Sequence, residues 1–420
     1  MAMQADPGTG ELDPIAAVAE PPRTVRAGRR LRVLHVIPSV ASSNGGPSKA
    51  IGQMERALAD LGIDVVTVTT DDDGAGRRLD VPLQTPTPCN GATRLYFRKQ
   101  ADTYKVSLPL LAWLRGNVKS FDIVHVHALF SFAPVAAAWT ARAAGVPYII
   151  RPLGVLNHYG MANRRSRLKL LSMRLLETPL LRDAAAVQFT AQAELAEAAL
   201  LGGRMNAHVV PLGIDPIPKA TDGAFLTAFP GVGKRRLLFL SRIDQKKNIE
   251  ALLGALALSR PSIAGLSLIV CGQGSPAYLA QLKALAVRLG VDDCVVWTGH
   301  VEGALKASAF AAAEVFVLPS FSENFGIAAV EALGAGLPCI LGEGVAVATR
   351  ISEVQAGLAV APTAEAVSAA INALLGDADE RRRTGDRASK LAASDYSLAA
   401  MGSGLAALYN RVLDARTPLR

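Results

Sequence analysis

Residues 322–340 read SENFGIAAVEALGAGLPCI. Two carboxylates, Glu323 and Glu331, stand eight positions apart in a run that is otherwise almost wholly apolar. The preceding EVFVLPS (314–320) reads as a buried strand, and IAAVEALGAG reads as a helix that ends at its glycines. Strand, short loop and helix make half of a βαβ unit, and such loops lie at the carboxyl edge of a parallel sheet, where ligands bind. Glu323 then sits at the helix start and Glu331 about two turns in, roughly 12 Å further along. At that separation they cannot share a metal ion or act on one atom, so each serves a different part of one long ligand. A carboxylate only accepts hydrogen bonds, which suits hydroxyls. The amides of Asn324, Phe325, Gly326 and Ile327 supply donors beside them. The plainer reading is a surface charge at a helix start for Glu323 and a solvated helix face for Glu331. It fits Glu331 poorly, because Ala328, Ala329, Val330, Ala332 and Leu333 leave that helix little polar face.

Working outward, apolar strands alternate with helices over most of the 420 residues. Strand-like runs are LRVLHVIPS (31–39), IDVVTVTT (63–70), FDIVHVH (121–127), VPYIIRP (146–152) and AAAVQFT (184–190). After GIDPIPKATDGAFLTAFPGVGKR (213–235) the pattern restarts with RLLFLSR (236–242), LSLIVCG (266–272), CVVWTGH (294–300) and LPCILG (337–342). Apolar strands alternating with helices predict parallel sheets covered on both faces. The expected organisation is a disordered tail (1–30), a Rossmann-like domain (31–212), a linker (213–235), a second Rossmann-like domain (236–395) and a final helical segment (396–420).

A formal charge of +8 fits an anionic small molecule or membrane surface, and no Lys/Arg stripe interleaved with aromatics argues for nucleic acid. Cys89, Cys271, Cys294 and Cys339 have no metal-ligand spacing and read as free thiols of a reducing compartment. The tail has no apolar stretch typical of a signal peptide, and no run of about eighteen apolar residues could span a bilayer. The expectation is a cytoplasmic protein. Residues 158–182 hold Arg164, Arg165, Arg167, Lys169, Arg174 and Arg182 against the single acid Glu177. That is either the basic rim of a packed helix or a surface for anionic lipid at the inner membrane face.

Two loops suit phosphate. PGVGKRR (230–236) fails as a nucleotide-triphosphatase loop, since Arg235 stands where Ser or Thr is needed and the strand follows it. SSNGGPSKA (42–50) follows a strand and opens a helix, so Gly45 and Gly46 let backbone and a helix N-terminus approach an anion; a plain glycine turn is the alternative. In LSRIDQKKN (240–248), Arg242 and Lys247 flank a turn after a strand, which suits a diphosphate, against the commoner fate of a solvated basic loop. His127 ends the strand FDIVHVH and is expected at the cleft, in a catalytic or sugar-contacting role, although a strand-end histidine is more often structural.

Together these residues resemble glycosyltransferase family 4, which has the α/β GT-B fold: two Rossmann-like, doubly wound parallel-sheet domains facing across a cleft. The resemblance runs from about Leu31 to Leu413 and rests on the E-x7-E segment, SRIDQKKN, CGQG, the GGP loop, HVHALFSF, FTAQAE and PLGID. It implies retaining transfer of a sugar from a UDP- or GDP-linked donor to a saccharide or polyprenyl-linked acceptor, in building a surface polysaccharide, without a metal. It implies that Arg242 and Lys247 neutralise the leaving diphosphate and that Glu331 holds the ribose. Glu323 and the Asn324–Ile327 backbone would hold the sugar. Gly45 and Gly46 would approach the phosphates, and Gly272 of CGQG belongs to the same donor set. The final helix would cross back to the first domain. One departure stands out: many members carry a histidine in a Pro-His-Gly-like loop, where RPLGVLN places Leu153. That position favours one rival, a catalytically silent nucleotide-sugar binding protein; a second rival, a nucleotide-sugar epimerase on a similar two-domain fold, has the intact E-x7-E with Arg242 and Lys247 against it.

Overall fold

The computed structural model describes residues 24–26, 28–156, 172–200 and 205–415. The first domain is built on an eight-stranded sheet. Its strands are β3 (Arg32–Val36), β4 (Asp64–Thr70), β5 (Thr87–Cys89), β6 (Ala92–Phe97), β7 (Ile123–His127), β8 (Tyr148–Arg151), β9 (Ala186–Phe189) and β10 (Ala207–Val209). They lie in the order β10-β9-β8-β7-β3-β4-β6-β5, and only the edge strand β5 is antiparallel to its neighbour. Ahead of this sheet a short hairpin pairs β1 (Val25–Arg26) with β2 (Arg29–Arg30), and Arg29 grips Asp122 with two hydrogen bonds of 2.9 and 2.6 Å. The end of the tail expected to be disordered is thus held by an ion pair; its first 23 residues lie outside the described set.

The second sheet has six parallel strands: β11 (Arg235–Leu240), β12 (Leu266–Cys271), β13 (Val295–Gly299), β14 (Val315–Leu318), β15 (Cys339–Gly342) and β16 (Gly357–Val360). Their order, β13-β12-β11-β14-β15-β16, is the doubly wound Rossmann order. The expected linker is not bare loop. It contains the helix Gly223–Ala228, whose Phe225 is fully buried and whose first turn is tied to Ser308 by a 2.9 Å hydrogen bond. This stretch belongs to the second domain, where its helix packs on the helix Gly303–Ala312 and Phe225 is buried.

The chain crosses between the domains at Gly213–Ile214 and again at Tyr396–Ser397. The crossings lie side by side: the Ile214 amide donates to the Tyr396 carbonyl at 2.8 Å. A Cβ at Gly213 would sit 2.5 Å from the Ser397 carbonyl oxygen, so only glycine allows the two crossings to touch. The helix Leu398–Asp414 then packs on the helix Gly46–Asp60 of the first domain. Met401, Leu405, Leu408 and Val412 repeat at helical spacing and are buried, each worth about 1.5–3 kcal/mol of burial. Through this helix the core on one face of the first sheet runs continuously into the core of the second domain. The other face of the first sheet has a separate core beneath the helices Leu108–Asn117 and Phe132–Ala144. No helix among the described residues is long and apolar enough to cross a membrane.

Candidate functional site

In each domain the strand order reverses beside the first core strand, between β3 and β7 in one and between β11 and β14 in the other. Loops diverge at such points and leave a crevice. The loop after β3 carries Gly45 and Gly46, the loop after β11 carries Arg242 and Lys247, and the loop after β14 carries Glu323 to Gly326. The sequence-predicted groups therefore occupy the two positions that parallel-sheet geometry makes available for a ligand.

These loops meet across the domains. A Cβ on Gly46 would lie 3.2 Å from Ile327 Cδ1, so the glycine loop sits directly against the helix Ile327–Gly334. Gly45 precedes that contact with φ 63°, the left-handed region. From the other side of the crevice, the Asn324 side-chain amide donates to the Leu153 carbonyl at 3.2 Å. Gly154 lies so close to Asn324 that a Cβ would fall 1.9 Å from its Cγ, and its φ of 70° already favours glycine. Leu153, where the family resemblance leads one to expect a histidine, is left-handed at φ 60°, and its carbonyl oxygen is turned to the loop after β14.

Glu194 holds this loop in place, a role not assigned to it from sequence. It is buried and accepts from the Gly154 amide at 3.0 Å, the Thr190 amide at 2.8 Å and the Thr190 hydroxyl at 2.7 Å. Burial pushes its carboxyl up from the usual range, against those donors. The residue stood in view within FTAQAE. What gave it no meaning was the Gly154 amide, forty positions upstream.

Lys247 is nearly buried and forms an ion pair with Glu323. The Glu323 amide donates to the Gly344 carbonyl at 2.9 Å, and the Ala346 amide donates to the Glu323 carbonyl at 3.1 Å, which pins the loop to its neighbour. Arg242 is exposed on the same loop. Between them Lys246 is held below the ordinary lysine range, first by burial and then by the charges of Lys247 and Arg242, while Glu323 acts in the opposite sense. Three cations crowded on one short loop leave a site that an anion would relieve.

Glu331 is buried, as its apolar surroundings imply, yet it is not alone. Lys49 of the glycine-loop helix reaches it from the first domain at 2.5 Å, and Lys306 of the helix Gly303–Ala312 reaches it at 2.6 Å. Neither lysine was singled out from sequence. Lys49 lies one turn after Gly46, a position that a search for first-turn cations would have found. Lys306 is the only charged residue of GALKASAFAA.

One sequence expectation is corrected here, that for His127. His127 does not reach the cleft: it is fully buried, and its Nε2 lies 3.0 Å from His35 Nδ1. Strand register places His35 beside His125, and the hydroxyl of Tyr409 from the final helix bonds to both, at 3.3 and 2.9 Å. The strand face expected to open on the cleft is covered by that helix. Phe325 turns its ring inward, edge-on to Tyr396 at 5.7 Å, so only its backbone could serve a ligand. Gly272 is needed for packing: with φ 155°, a Cβ there would lie 1.8 Å from the Ser241 carbonyl oxygen, which lets the loops after β11 and β12 touch. The basic stretch at Arg164, Arg165, Arg167 and Lys169 lies outside the described residues.

His35, His125 and His127 offer ring nitrogens within 4.8 Å of one another, a spacing that metals use. The electrostatics oppose a cation there. Arg151 is fully buried against them, and its own pKa is pushed down to about 10 by burial. Burial, then the Arg151 charge, lowers His35 to about 3. His125 and His127 are held well below the usual histidine range by burial first and by the neighbouring rings and Arg151 next. The cluster is a neutral polar layer beside one cation.

The two halves match two family models in tandem, a glycosyl transferase 4-like domain over residues 45–213 and glycosyl transferases group 1 over residues 229–391. The chain belongs to the GT-B glycosyltransferases of family 4. A D-inositol 3-phosphate glycosyltransferase from Segniliparus rotundus is 35% identical over 225 residues, which is 50% of this chain and 49% of that protein. This chain thus covers about half the length of that relative. A GDP-mannose:cellobiosyl-diphosphopolyprenol alpha-mannosyltransferase from Komagataeibacter xylinus is 27% identical over 94% of this chain and 96% of its own length. Among solved structures, Anabaena HepE in complex with UDP and glucose superposes with a TM-score of 0.71 at 18% identity, covering 91% of this chain and all of that one. Sucrose-phosphate synthase from Thermosynechococcus elongatus superposes with a TM-score of 0.72 at 20% identity, over 92% of this chain and all of that one. These superpositions bear out the two-domain parallel-sheet fold.

Proposed function

We propose that this chain is a retaining glycosyltransferase that moves a hexosyl group from a nucleotide diphosphate sugar to a saccharide or polyprenyl-diphosphate-linked acceptor, at the inner face of the cell membrane, in building a surface or extracellular polysaccharide. The observation that carries the reading is the convergence, between the two strand-order reversals, of the glycine loop, the Arg242–Lys247 loop and the Glu323–Glu331 segment. Cleavage of a sugar–phosphate bond builds negative charge on the departing diphosphate. Fixed cations beside that oxygen lower the barrier. Arg242 and Lys247 take that part, with Glu323 fixing the Lys247 ammonium on one side. Glu331 accepts from the ribose hydroxyls, and the amides at the start of Ile327–Gly334 serve the sugar or its phosphate. The mannosyltransferase relative, aligned over nearly all of its length, makes GDP-mannose the first donor to try and a diphosphopolyprenol saccharide the first acceptor. The set requires no metal.

Leu153 favours a second reading, in which the site binds a nucleotide sugar without transferring it. One experiment separates the two. Thermal shifts with UDP, GDP, ADP and their sugar conjugates, without added metal, identify the donor. Incubation with that donor and a lipid-linked saccharide extract then gives a glycosylated product whose anomeric configuration, read by NMR, matches the donor. A shift without product supports the silent binder, inverted product refutes retention, and no shift with any nucleotide counts against a preformed donor site.

A further inference from the structure

Lys49 occupies a position that the proposed donor would contest. It lies in the first turn of the helix Gly46–Asp60, and its ammonium bonds Glu331 at 2.5 Å although the two residues belong to opposite domains. Gly46 touches Ile327 one turn earlier, so the first turns of two helices lie against each other, with the cation of one on the carboxylate of the other. Further along the same face, Gln53 and Arg56 both bind Asp215 beside the first chain crossing. This helix therefore reaches the second half of the chain through a stripe of polar residues at helical spacing, and Lys49 is the member nearest the crevice.

Glu331 is almost completely buried, whereas Lys49 remains 42% exposed and Lys306 22% exposed. Of the two partners, Lys49 is the one that can leave into solvent without stranding a buried charge, and Lys306 still balances Glu331 after it goes. A ribose diol needs lone pairs of Glu331. The ribose carries the diphosphate on C5′, which hangs from the ring carbon next to the diol, so the near end of the diphosphate lies about one sugar ring from the ammonium that the diol displaces.

We infer that Lys49 exchanges partners when donor binds, from the Glu331 carboxylate to the diphosphate, and so supplies a third cation to the leaving group from the domain opposite Arg242 and Lys247. The inference rests on reading the site as one for a nucleotide sugar. It makes the Lys49–Glu331 pair a placeholder that holds the crevice together until the nucleotide takes both partners. A plain structural latch would oppose every ligand of Glu331. A partner that exchanges opposes the nucleoside and favours the diphosphate.

The test is calorimetry of the nucleoside diphosphate found in the donor screen, with the matching free nucleoside measured by competition against it. Wild type, Lys49→Met and Lys49→Arg are compared, and Lys306 keeps Glu331 paired in all three. In Lys49→Met the diphosphate is expected to bind about tenfold more weakly, 1.4 kcal/mol. The nucleoside is expected to bind as well as before or better, and turnover to fall with the donor saturating. Lys49→Arg is expected to restore most of the diphosphate affinity. If both ligands bind Lys49→Met more tightly, Lys49 is a latch only and the inference falls. It falls equally if neither affinity moves. A wild type that binds no nucleoside diphosphate would remove the functional reading itself, an outcome distinct from a normal wild type with an indifferent Lys49→Met.

Discussion

Lowering the pH from 7 to 5.5 is expected to destabilise the first domain through His35, His125 and His127. All three are fully buried and neutral, with His35 lowered to about 3 and the other two well below their usual range by burial first. In the unfolded chain each titrates near 6.5, so roughly a quarter of each is protonated at pH 7 and about nine-tenths at pH 5.5. The unfolded chain binds the extra protons, so stability falls as pH falls through and below 6.5. Each imidazole costs about 1 kcal/mol over that interval, and the three together about 3–4 kcal/mol, a large share of a typical domain's stability. Glu177 and Glu194 pull the other way, because burial raises both and the fold retains protons that the unfolded chain releases. The assay is urea unfolding at pH 5.5, 6, 6.5 and 7, followed by tryptophan fluorescence. Trp113 and Trp139 both lie on helices that cover the first sheet. Running it on wild type, Glu177→Gln and Glu194→Gln removes the offset in turn. An unfolding free energy that stays level across the interval in all three proteins would refute a neutral, buried histidine cluster.

Other outcomes follow from the crevice. Glu331→Gln is expected to weaken nucleotide-sugar binding about tenfold to a hundredfold, since hydrogen bonds to a charged group contribute about 1.5–3 kcal/mol; Lys247→Ala is expected mainly to lower kcat, and steady-state kinetics on both separates them. Gly154→Ala places a Cβ against the Asn324 side chain and takes a left-handed φ, and is expected to lower kcat/KM at least tenfold while the melting temperature of the second domain stays near that of wild type. Binding to anionic vesicles, measured by sedimentation, is expected to weaken with salt and to be lost when Arg164, Arg165 and Arg167 become Ala.

Much of this architecture is legible because buried parallel strands write themselves as short apolar runs. Ten of them, from LRVLHVIPS to LPCILG, coincide with observed strands to within a few residues. Six of the described strands escaped, among them ATRLYF (92–97), where Thr93 and Arg94 break the apolar run, and two edge strands of another kind. TPC (87–89) is three residues with a central proline at a sheet edge, and GLAV (357–360) is a short edge strand with a glycine at its start. Neither carries enough apolar length to stand out from loop. The positions of Arg242, Lys247, Glu323 and Glu331 follow from strand, loop and helix order. Their partners do not, because Lys49–Glu331, Asn324–Leu153 and Glu194–Gly154 join residues far apart in the chain, and no periodicity encodes such pairs. His127 escapes for a related reason: a strand-end residue faces the crevice only if no later segment folds over its strand, and Tyr409 arrives from the last helix to bond His125 two residues before it.

The two chain crossings, Gly213–Ile214 and Tyr396–Ser397, also decide how the protein can move and how it can be cut. A single tether lets two bodies bend and twist freely. Two tethers bonded to each other, with no side chain between them at Gly213, resist twisting and leave bending about their common line as the easy motion. The second tether delivers Leu398–Asp414, which completes the neighbouring body rather than its own. A fragment ending at the first crossing would leave His35 and His125 without the Tyr409 hydroxyl and uncover the stripe under Met401, Leu405 and Val412. The amino-terminal half is therefore a receptor for the last seventeen helical residues, and the natural way to produce it alone is with that helix fused back or added as a peptide.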